Sequence, residues 1–140
     1  MSKTARIHIG TSKITSDGYF EILEFLEYKG WKTSYAGIIT YMVNETYDWI
    51  NEPVENVESI FRLIRESINQ EKACFIQLQW ENGPEQIEFF YYNSSEICFN
   101  IVGEEKMTED VNFVDYTWYF ERLAGLSDVI KINRVACVLD

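Results

Sequence analysis

The side chains that most often carry out catalysis are sparse in this chain. His8 is the single histidine, and it lies between Ile7 and Ile9 in a segment that alternates like a β-strand. Hydrolytic triads need a general base beside a nucleophile, and the sequence has no Gly-x-Ser-x-Gly turn to present a serine. We therefore expect a structural or surface role for His8.

The cysteines do not form a metal-binding pattern. Cys74, Cys98 and Cys137 are far apart and lie in apolar segments, whereas zinc sites need ligands at short spacings such as Cys-x-x-Cys. We expect buried free thiols in a reducing compartment. The Gly-Thr-Ser-Lys stretch at 10–13 lacks the residue order of a phosphate-binding loop. These motifs predict no metal, no cofactor and no enzyme, although a catalytic pair among the many glutamates stays open as an alternative.

The charge of the chain limits its partners. The sequence has 23 acidic and 12 basic residues, for a formal net charge of −11. Nucleic acids and anionic membranes attract lysine and arginine, so we expect neither as a direct partner. A basic protein partner suits this charge, and simple solubility is the alternative explanation. The acids are concentrated in two stretches without Lys or Arg, residues 33–61 and 73–105.

The first acidic stretch contains one candidate interface. Its apolar residues follow a helical period at Ile39, Met42, Val43, Tyr47 and Ile50. The opposite face of that predicted helix carries Tyr41, Glu45 and Trp49 at i, i+4 and i+8, with Asp48 and Glu52 beside them. Exposed aromatic residues among acids are typical of a binding hot spot. In the alternative interpretation, the aromatic residues pack under a neighbouring element and the acids are merely solvated.

A second candidate interface lies in the polar segment at 103–110. Its acids are Glu104, Glu105, Glu109 and Asp110. As a loop between a strand and a helix, this segment could reach a basic partner. The alternative is an acidic first turn of the following helix, where the helix dipole favours carboxylates.

The elements that must position these residues form one predicted domain, residues 1–140, of α+β class. Ser16-Asp17 resembles an N-cap and Gly30 follows the last turn of that helix, while Glu52-Pro53 separates the next two helices. We expect an antiparallel sheet packed with about four helices: a strand at 5–9, helices at 16–29, 39–50 and 53–68, a three-stranded meander at 74–102, a helix at 112–124 and a final strand at 129–139.

The second face of the predicted meander is not wholly polar. Phe75, Phe90 and Cys98 fall on it, among residues such as Gln77 and Glu88. Since apolar side chains favour burial, we expect another part of the fold to cover this face.

Targeting signals are also absent from the pattern. No apolar stretch typical of a signal peptide follows Met1 to Arg6. No run approaches the ~18 apolar residues of a membrane span. We expect a cytoplasmic protein.

In length, negative charge, aromatic richness, α+β pattern and lack of a catalytic motif, the chain resembles the small acidic immunity proteins that bacteria encode beside polymorphic toxins, including those of contact-dependent inhibition systems. The resemblance implies a tight one-to-one inhibitor of a cognate toxin, often a nuclease with a basic cleft. Two alternatives stay open: another acidic interaction module, such as a nucleic-acid mimic or an adaptor, and a small-ligand binder or enzyme whose site is assembled only in the fold.

Overall fold

The computed structural model describes residues 5–103, 107 and 114–139. Within these residues the chain forms eight strands and three α-helices. The strands are β1 (Ala5–Thr11), β2 (Trp31–Lys32), β3 (Ile38–Met42), β4 (Ile50–Pro53), β5 (Cys74–Trp80), β6 (Glu85–Asn93), β7 (Glu96–Gly103) and β8 (Ile132–Leu139). The helices are α1 (Ser16–Lys29), α2 (Val57–Asn69) and α3 (Tyr116–Arg122), and 3₁₀ turns lie at Val54–Asn56 and Leu126–Asp128.

All eight strands belong to one antiparallel sheet. Its order is β4-β3-β5-β6-β7-β1-β8, and β2 also pairs with β5. The predicted meander corresponds to β5, β6 and β7, and the terminal strands β1 and β8 extend the sheet. The predicted α+β class with an antiparallel sheet is therefore confirmed. The predicted helix count is wrong, because the described residues contain three α-helices rather than about four.

The two faces of the sheet differ because side chains alternate along each strand. On one face, here called the covered face, strand residues pack with the three helices in the main core; Ile7, Ile76, Phe89 and Phe99 are examples. The alternate positions form the open face, on which no described helix packs. A small separate apolar cluster lies there, made of Met42, Phe75, Phe90 and Cys98.

Helix α1 forms where its sequence predicts, with one change at its start. Thr15, rather than Ser16-Asp17, is the N-cap, and its hydroxyl oxygen accepts a hydrogen bond from the Gly18 N–H at 3.1 Å. At the other end Gly30 adopts a left-handed conformation, with φ of 117°. The predicted apolar face is buried against the sheet.

The prediction of a helix at 39–50 is wrong. The segment instead forms β3, a loop at 43–49, and β4, which pairs antiparallel with β3. Ile38, Ile39 and Thr40 are β-branched, a residue type that favours strands, and Tyr41 pairs with Ile76 of β5. The apolar spacing fitted a helix by coincidence, since strand pairing with β5 is a distant interaction that local periodicity does not report.

The described residues 114–139 agree with the prediction in the type of each element but not in its extent. The helix predicted at 112–124 is α3, at Tyr116–Arg122; residues 112 and 113 lie outside the described part. Asp115 caps this helix, because its carboxylate accepts a hydrogen bond from the Trp118 N–H at 3.2 Å. The final strand is confirmed as β8, which starts at Ile132 and pairs with β1. Among the described helices, none has the length and apolar character needed to cross a bilayer.

Candidate functional site

A row of polar side chains crosses the middle of the open face. Arg6 of β1 pairs with Asn100 of β7, Asn100 with Glu88 of β6, and Glu88 with Gln77 of β5. Directly opposed residues of an antiparallel pair have Cβ atoms about 5 Å apart on the same face. Four strands therefore place an arginine, an amide, a carboxylate and a second amide side by side. We call these four residues the polar row.

Aromatic rings line the same face beside the polar row. The ring of Phe75 lies 4.8 Å from that of Phe90, and the Phe90 ring lies 5.0 Å from that of Tyr92 (centroid distances). Trp49 approaches from outside the sheet, with its ring 5.5 Å from Phe75. At the far end, His8 stacks on Tyr92 at 6.0 Å.

The loop at 43–49 lies over this face with an unusual backbone. Asn44, Glu45 and Tyr47 all have φ of 56°, in the left-handed region that costs a non-glycine residue roughly 1–2 kcal/mol. Hydrogen bonds to the last turns of α2 and to the α2–β5 connection hold the loop. The Asn44 N–H donates to Ser67 Oγ at 3.0 Å, and the Ala73 N–H donates to Glu45 Oε1 at 3.0 Å. Strain of this kind concentrates at functional sites.

A hydrogen bond from Trp49 to Glu88 joins the loop to the polar row. Trp49 Nε1 donates to Glu88 Oε2 at 2.7 Å, and Asn100 Nδ2 lies 3.4 Å from Glu88 Oε1. The exposed fraction of Glu88 is only 4%. Burial raises the pKa of the Glu88 carboxyl, and the hydrogen bonds from Trp49 and Asn100 offset part of that rise. A buried glutamate is unusual, because charged side chains are almost never fully buried unless they are paired.

The loop and the sheet together enclose a groove of about 580 Å³. Its polar lining contains the polar row and Gln86, and its aromatic lining consists of Tyr47, Trp49, Phe90 and Tyr92. The exposed fractions of Trp49 and Tyr47 are 52% and 50%. The groove thus combines aromatic surface that is still accessible with converging hydrogen-bonding groups, the composition of a recognition site.

Two of the residues predicted for the first interface lie on the other side of the sheet. Tyr41 is 1% exposed and belongs to the main core. Its hydroxyl donates to Glu52 Oε1 at 2.8 Å, and burial, with the Glu52 contact, raises the pKa of Tyr41 to about 12. Glu52 pairs with Ile39, a core residue, so it also faces the covered side. The predicted outward face with Tyr41, Glu45 and Trp49 in line is therefore wrong, because it depended on a helix.

The other three predicted residues lie in the loop at 43–49. Glu45, Asp48 and Trp49 are exposed. Trp49 lines the groove, whereas the Glu45 side chain bonds to the backbone of Ala73. The loop thus keeps one aromatic residue and two acids of the predicted set together. The acids predicted for the second interface, Glu104, Glu105, Glu109 and Asp110, lie outside the described residues.

Of the ten residues that line the groove, the sequence argument identified only Trp49 as a site residue. Arg6, Glu88 and Asn100 were assigned only to strands, and Tyr47 was assigned to the apolar side of the predicted helix. The apolar residues Phe75, Phe90 and Cys98 on the second face of the meander were the available signal, because they require a cover. That cover includes the loop at 43–49, whose Trp49 packs on Phe75.

A cysteine, a histidine and a glutamate lie near one another beside the groove, as they do in cysteine-dependent active sites. The cysteine, however, is not activated as a nucleophile. Cys98 lies opposite His8 in the β1–β7 pair, and His8 Nδ1 lies 3.0 Å from Glu96 Oε1. However, Cys98 is fully buried and its Sγ lies 3.1 Å from Asn100 Oδ1. Burial raises the pKa of the Cys98 thiol to about 12. The thiolate, which is the reactive form, is therefore scarce at neutral pH.

The other cysteines are also free thiols. Cys74 is buried, as predicted, and burial raises the pKa of its thiol to about 12. Cys137 is exposed, so the prediction of three buried thiols is wrong for this residue. It lies on β8, which is an edge strand of the sheet. In the described part of the chain, no three His, Cys, Asp or Glu side chains gather in a way that could hold a metal ion.

Comparison with protein-family models, curated proteins and solved structures finds no match for this chain.

Proposed function

We propose that this chain is an immunity-type protein that binds and neutralises a cognate toxin acting in the cytosol, with a basic nuclease domain as the favoured target. In this proposal it works in the cytoplasm as a stoichiometric inhibitor and not as an enzyme. It uses no cofactor, and it contacts neither nucleic acid nor a membrane.

The observation that carries the proposal is the exposed aromatic pair of the loop at 43–49. Trp49 and Tyr47 keep half of their surface accessible at the mouth of the groove. Binding hot spots are enriched in Trp and Tyr, which contribute large rigid surfaces. The Trp49 ring is held by its hydrogen bond to Glu88, so little side-chain freedom is lost when a partner covers it.

Charge supports a basic partner. Glu45 and Asp48 are exposed beside the aromatic pair, and the whole chain has a formal net charge of −11. Acids around an apolar centre speed the encounter with a basic surface and suppress acidic partners. A nuclease cleft presents such a basic surface, since it binds phosphates.

The experiment starts from a tagged chain retrieved from a lysate of its source cells at low and high salt. The captured protein is then produced alone and together with this chain. We expect the captured protein to arrest growth alone, and co-expression to restore growth through a one-to-one complex that high salt weakens. A captured protein that is harmless, or whose toxicity persists in the complex, contradicts the proposal.

A matched pair of double variants tests where that partner binds. Glu45→Gln with Asp48→Asn removes two charges from the loop, and the amide oxygen introduced at position 45 can still accept the Ala73 hydrogen bond. Glu21→Gln with Glu24→Gln removes two charges from the exposed side of α1. We expect only the loop variant to slow association with the toxin domain. Equal effects of both variants would leave net charge as the cause and remove the loop from the interface.

Small-ligand binding is the second candidate function, and the size of the groove favours it. A volume of about 580 Å³ lies within the range of roughly 300–1,000 Å³ that is usual for small-molecule sites. A thermal-shift screen with polar metabolites tests this candidate. A ligand that raises the melting temperature of the native chain but not of Gln77→Ala would support it.

A further inference from the structure

Glu88 has hydrogen-bonding capacity beyond the donors that the described residues supply. An ionised carboxylate offers about four acceptor positions. Its donors are Trp49 Nε1 at 2.7 Å and Asn100 Nδ2 at 3.4 Å, and both are neutral. Among the ion pairs formed between described residues, none includes Glu88. A buried carboxylate is stabilised most by a cation that also donates hydrogen bonds.

The aromatic lining of the groove suits the same kind of ligand. The Trp49 indole presents its edge to Glu88 through the Nε1–H bond, and about half of the side chain remains exposed. Tyr47 is exposed to a similar extent on the same loop. A cation over an aromatic face is attracted by the negative face of the ring. A flat cation can use the indole face and the carboxylate together.

Arg6 lies at one end of the polar row and Glu88 toward the other. Asn100 lies between them. Two strand spacings, about 10 Å, therefore separate the backbone positions of Arg6 and Glu88. A cation is attracted to the Glu88 end, where Trp49 also lines the groove.

Guanidinium fits these groups better than ammonium. Arginine is planar, stacks on aromatic rings and donates two parallel hydrogen bonds to a carboxylate, whereas lysine carries a strongly hydrated point charge. The groove is also large enough to hold a whole side chain.

We propose that the groove receives an arginine side chain of the basic partner, with its guanidinium stacked on the indole face of Trp49 and hydrogen-bonded to the carboxylate of Glu88. This inference rests on the proposed function for the identity of the partner. Its chemistry can be tested without the partner, because a blocked arginine presents the same group.

The experiment titrates the native chain with N-acetyl-L-arginine amide and with its neutral analogue N-acetyl-L-citrulline amide. Binding is followed through the indole N–H signal of Trp49 in a ¹H–¹⁵N spectrum, assigned by its loss in Trp49→Phe. We expect a saturable shift with the arginine compound and at least about tenfold weaker binding of citrulline, a difference of about 1.4 kcal/mol. The buried Trp31 gives a reference signal that stays in place.

A charge-removing variant completes the test. Glu88→Gln keeps a carbonyl oxygen for the Trp49 N–H but removes the charge, and a cooperative unfolding curve is the check that it folds. We expect it to bind the arginine and citrulline compounds equally weakly. Equal binding of the two compounds by the native chain, or unchanged arginine binding in Glu88→Gln, overturns the inference. Equal binding of N-acetyl-L-lysine amide overturns the choice of arginine.

The two proposals fail in different experiments. If the toxin is neutralised but the native chain does not prefer arginine to citrulline, this inference fails alone. If arginine binds through Glu88 but the captured protein is harmless, the immunity function fails and the groove remains an arginine site. The toxin affinity of Glu88→Gln links the two proposals. If both hold, we expect this variant to bind the toxin about tenfold or more weakly than the native chain does.

Discussion

The two faces of the sheet differ in the kinds of side chain that they bury. On the covered face, the strands contribute almost only apolar residues, and the polar tips of two buried aromatics, Tyr19 and Trp31, bond to backbone oxygens. Tyr19 donates to the Phe89 carbonyl oxygen at 2.7 Å, and Trp31 Nε1 to that of Arg122 at 3.2 Å. On the open face, the buried groups include Glu88 and Asn100, which bond to other side chains.

This difference separates the residues that stabilise the fold from those free to serve recognition. Apolar burial is the largest favourable contribution to folding, and the helices supply it on the covered face alone. A buried carboxylate does not stabilise a core, so the presence of Glu88 on the open face needs another reason. The strained backbone of the loop at 43–49 also indicates a functional role for the open face.

The largest expected effect comes from the covered face. Phe89 is fully buried, and its ring stacks on those of Tyr19 and Phe99 at 4.2 and 5.3 Å. Phe89→Ala removes these contacts and leaves a cavity, so we expect a loss of about 3–5 kcal/mol in the free energy of unfolding. Urea denaturation measures it. Toxin affinity, measured where the variant is still folded, stays nearly native.

Phe120 provides the matched control for that variant. It is a phenylalanine on the helix side of the molecule, but it is partly exposed. Phe120→Ala should cost about 1 kcal/mol or less. Equal losses at positions 89 and 120 would contradict the assignment of stability to the covered face.

The next largest expected effect is on toxin binding rather than on stability. Trp49→Ala removes the exposed ring from the mouth of the groove, and we expect a loss of about 2 kcal/mol or more in toxin binding, a factor of about 30. The stability loss is smaller, about 1 kcal/mol, because one side-chain hydrogen bond and a half-exposed ring are removed. Titration calorimetry and denaturation measure the two quantities.

Tyr28 gives the control for Trp49. It is the most exposed of the large hydrophobic side chains in the described residues and lies on α1. Tyr28→Ala should change neither affinity nor stability. If Tyr28→Ala weakens the complex as much as Trp49→Ala, the partner does not bind the groove.

The same contrast explains what the sequence could reveal. Strands β5, β6 and β7 and the helices α1 and α2 follow from local alternation and from capping residues such as Gly30 and Pro53. The covered face was therefore predicted well. The loop at 43–49 was not, because Glu45 and Tyr47 adopt a left-handed backbone that their residue types do not signal from sequence.

The candidate site was predicted only in part for the same reason. Trp49, Asp48 and Glu45 were identified by composition, and they do share the loop. Glu88 was not identified, since a glutamate at an alternating strand position looks like an ordinary solvated residue. Its burial depends on the loop crossing the sheet, a contact between residues 39 positions apart.

A third prediction sharpens the role of strain in the loop. Tyr47→Gly places glycine at φ of 56°, where it has no steric penalty, so we expect stability to rise by up to about 1 kcal/mol. Toxin affinity should fall, because half of the Tyr47 surface was available to the partner. Thermal unfolding and binding assays should thus move in opposite directions.

Glu71→Gly tests the effect of backbone strain at a position outside the groove. Glu71 has φ of 57° in the turn after α2 and does not line the groove. Its replacement should raise stability by a similar amount and leave affinity unchanged. A loss of stability in both variants would show that the left-handed positions are not a source of strain.

The smallest expected effect is a dependence of stability on pH that comes from Glu88 alone. Burial raises the pKa of this carboxyl above its ordinary 4.5 in the folded protein. Over the interval between the ordinary and the raised pKa, the folded state binds more protons than the unfolded state. The contribution of Glu88 is therefore fully present below the ordinary value and decreases as pH rises through the raised one.

Glu88→Gln isolates this contribution, because every other titratable group is shared with the native chain. We expect native stability to fall relative to Glu88→Gln as the pH is raised from the ordinary pKa of a glutamate through the raised pKa of Glu88, and the two curves to run parallel once Glu88 is fully ionised. Urea denaturation at each pH gives the difference. A native chain that gains stability relative to the variant over this range would mean that Glu88 is stabilised as a carboxylate by the fold itself, and the groove would then need no external cation. A fall, in contrast, leaves an ionised carboxylate that the fold tolerates without full compensation, which is the state that an incoming guanidinium stabilises.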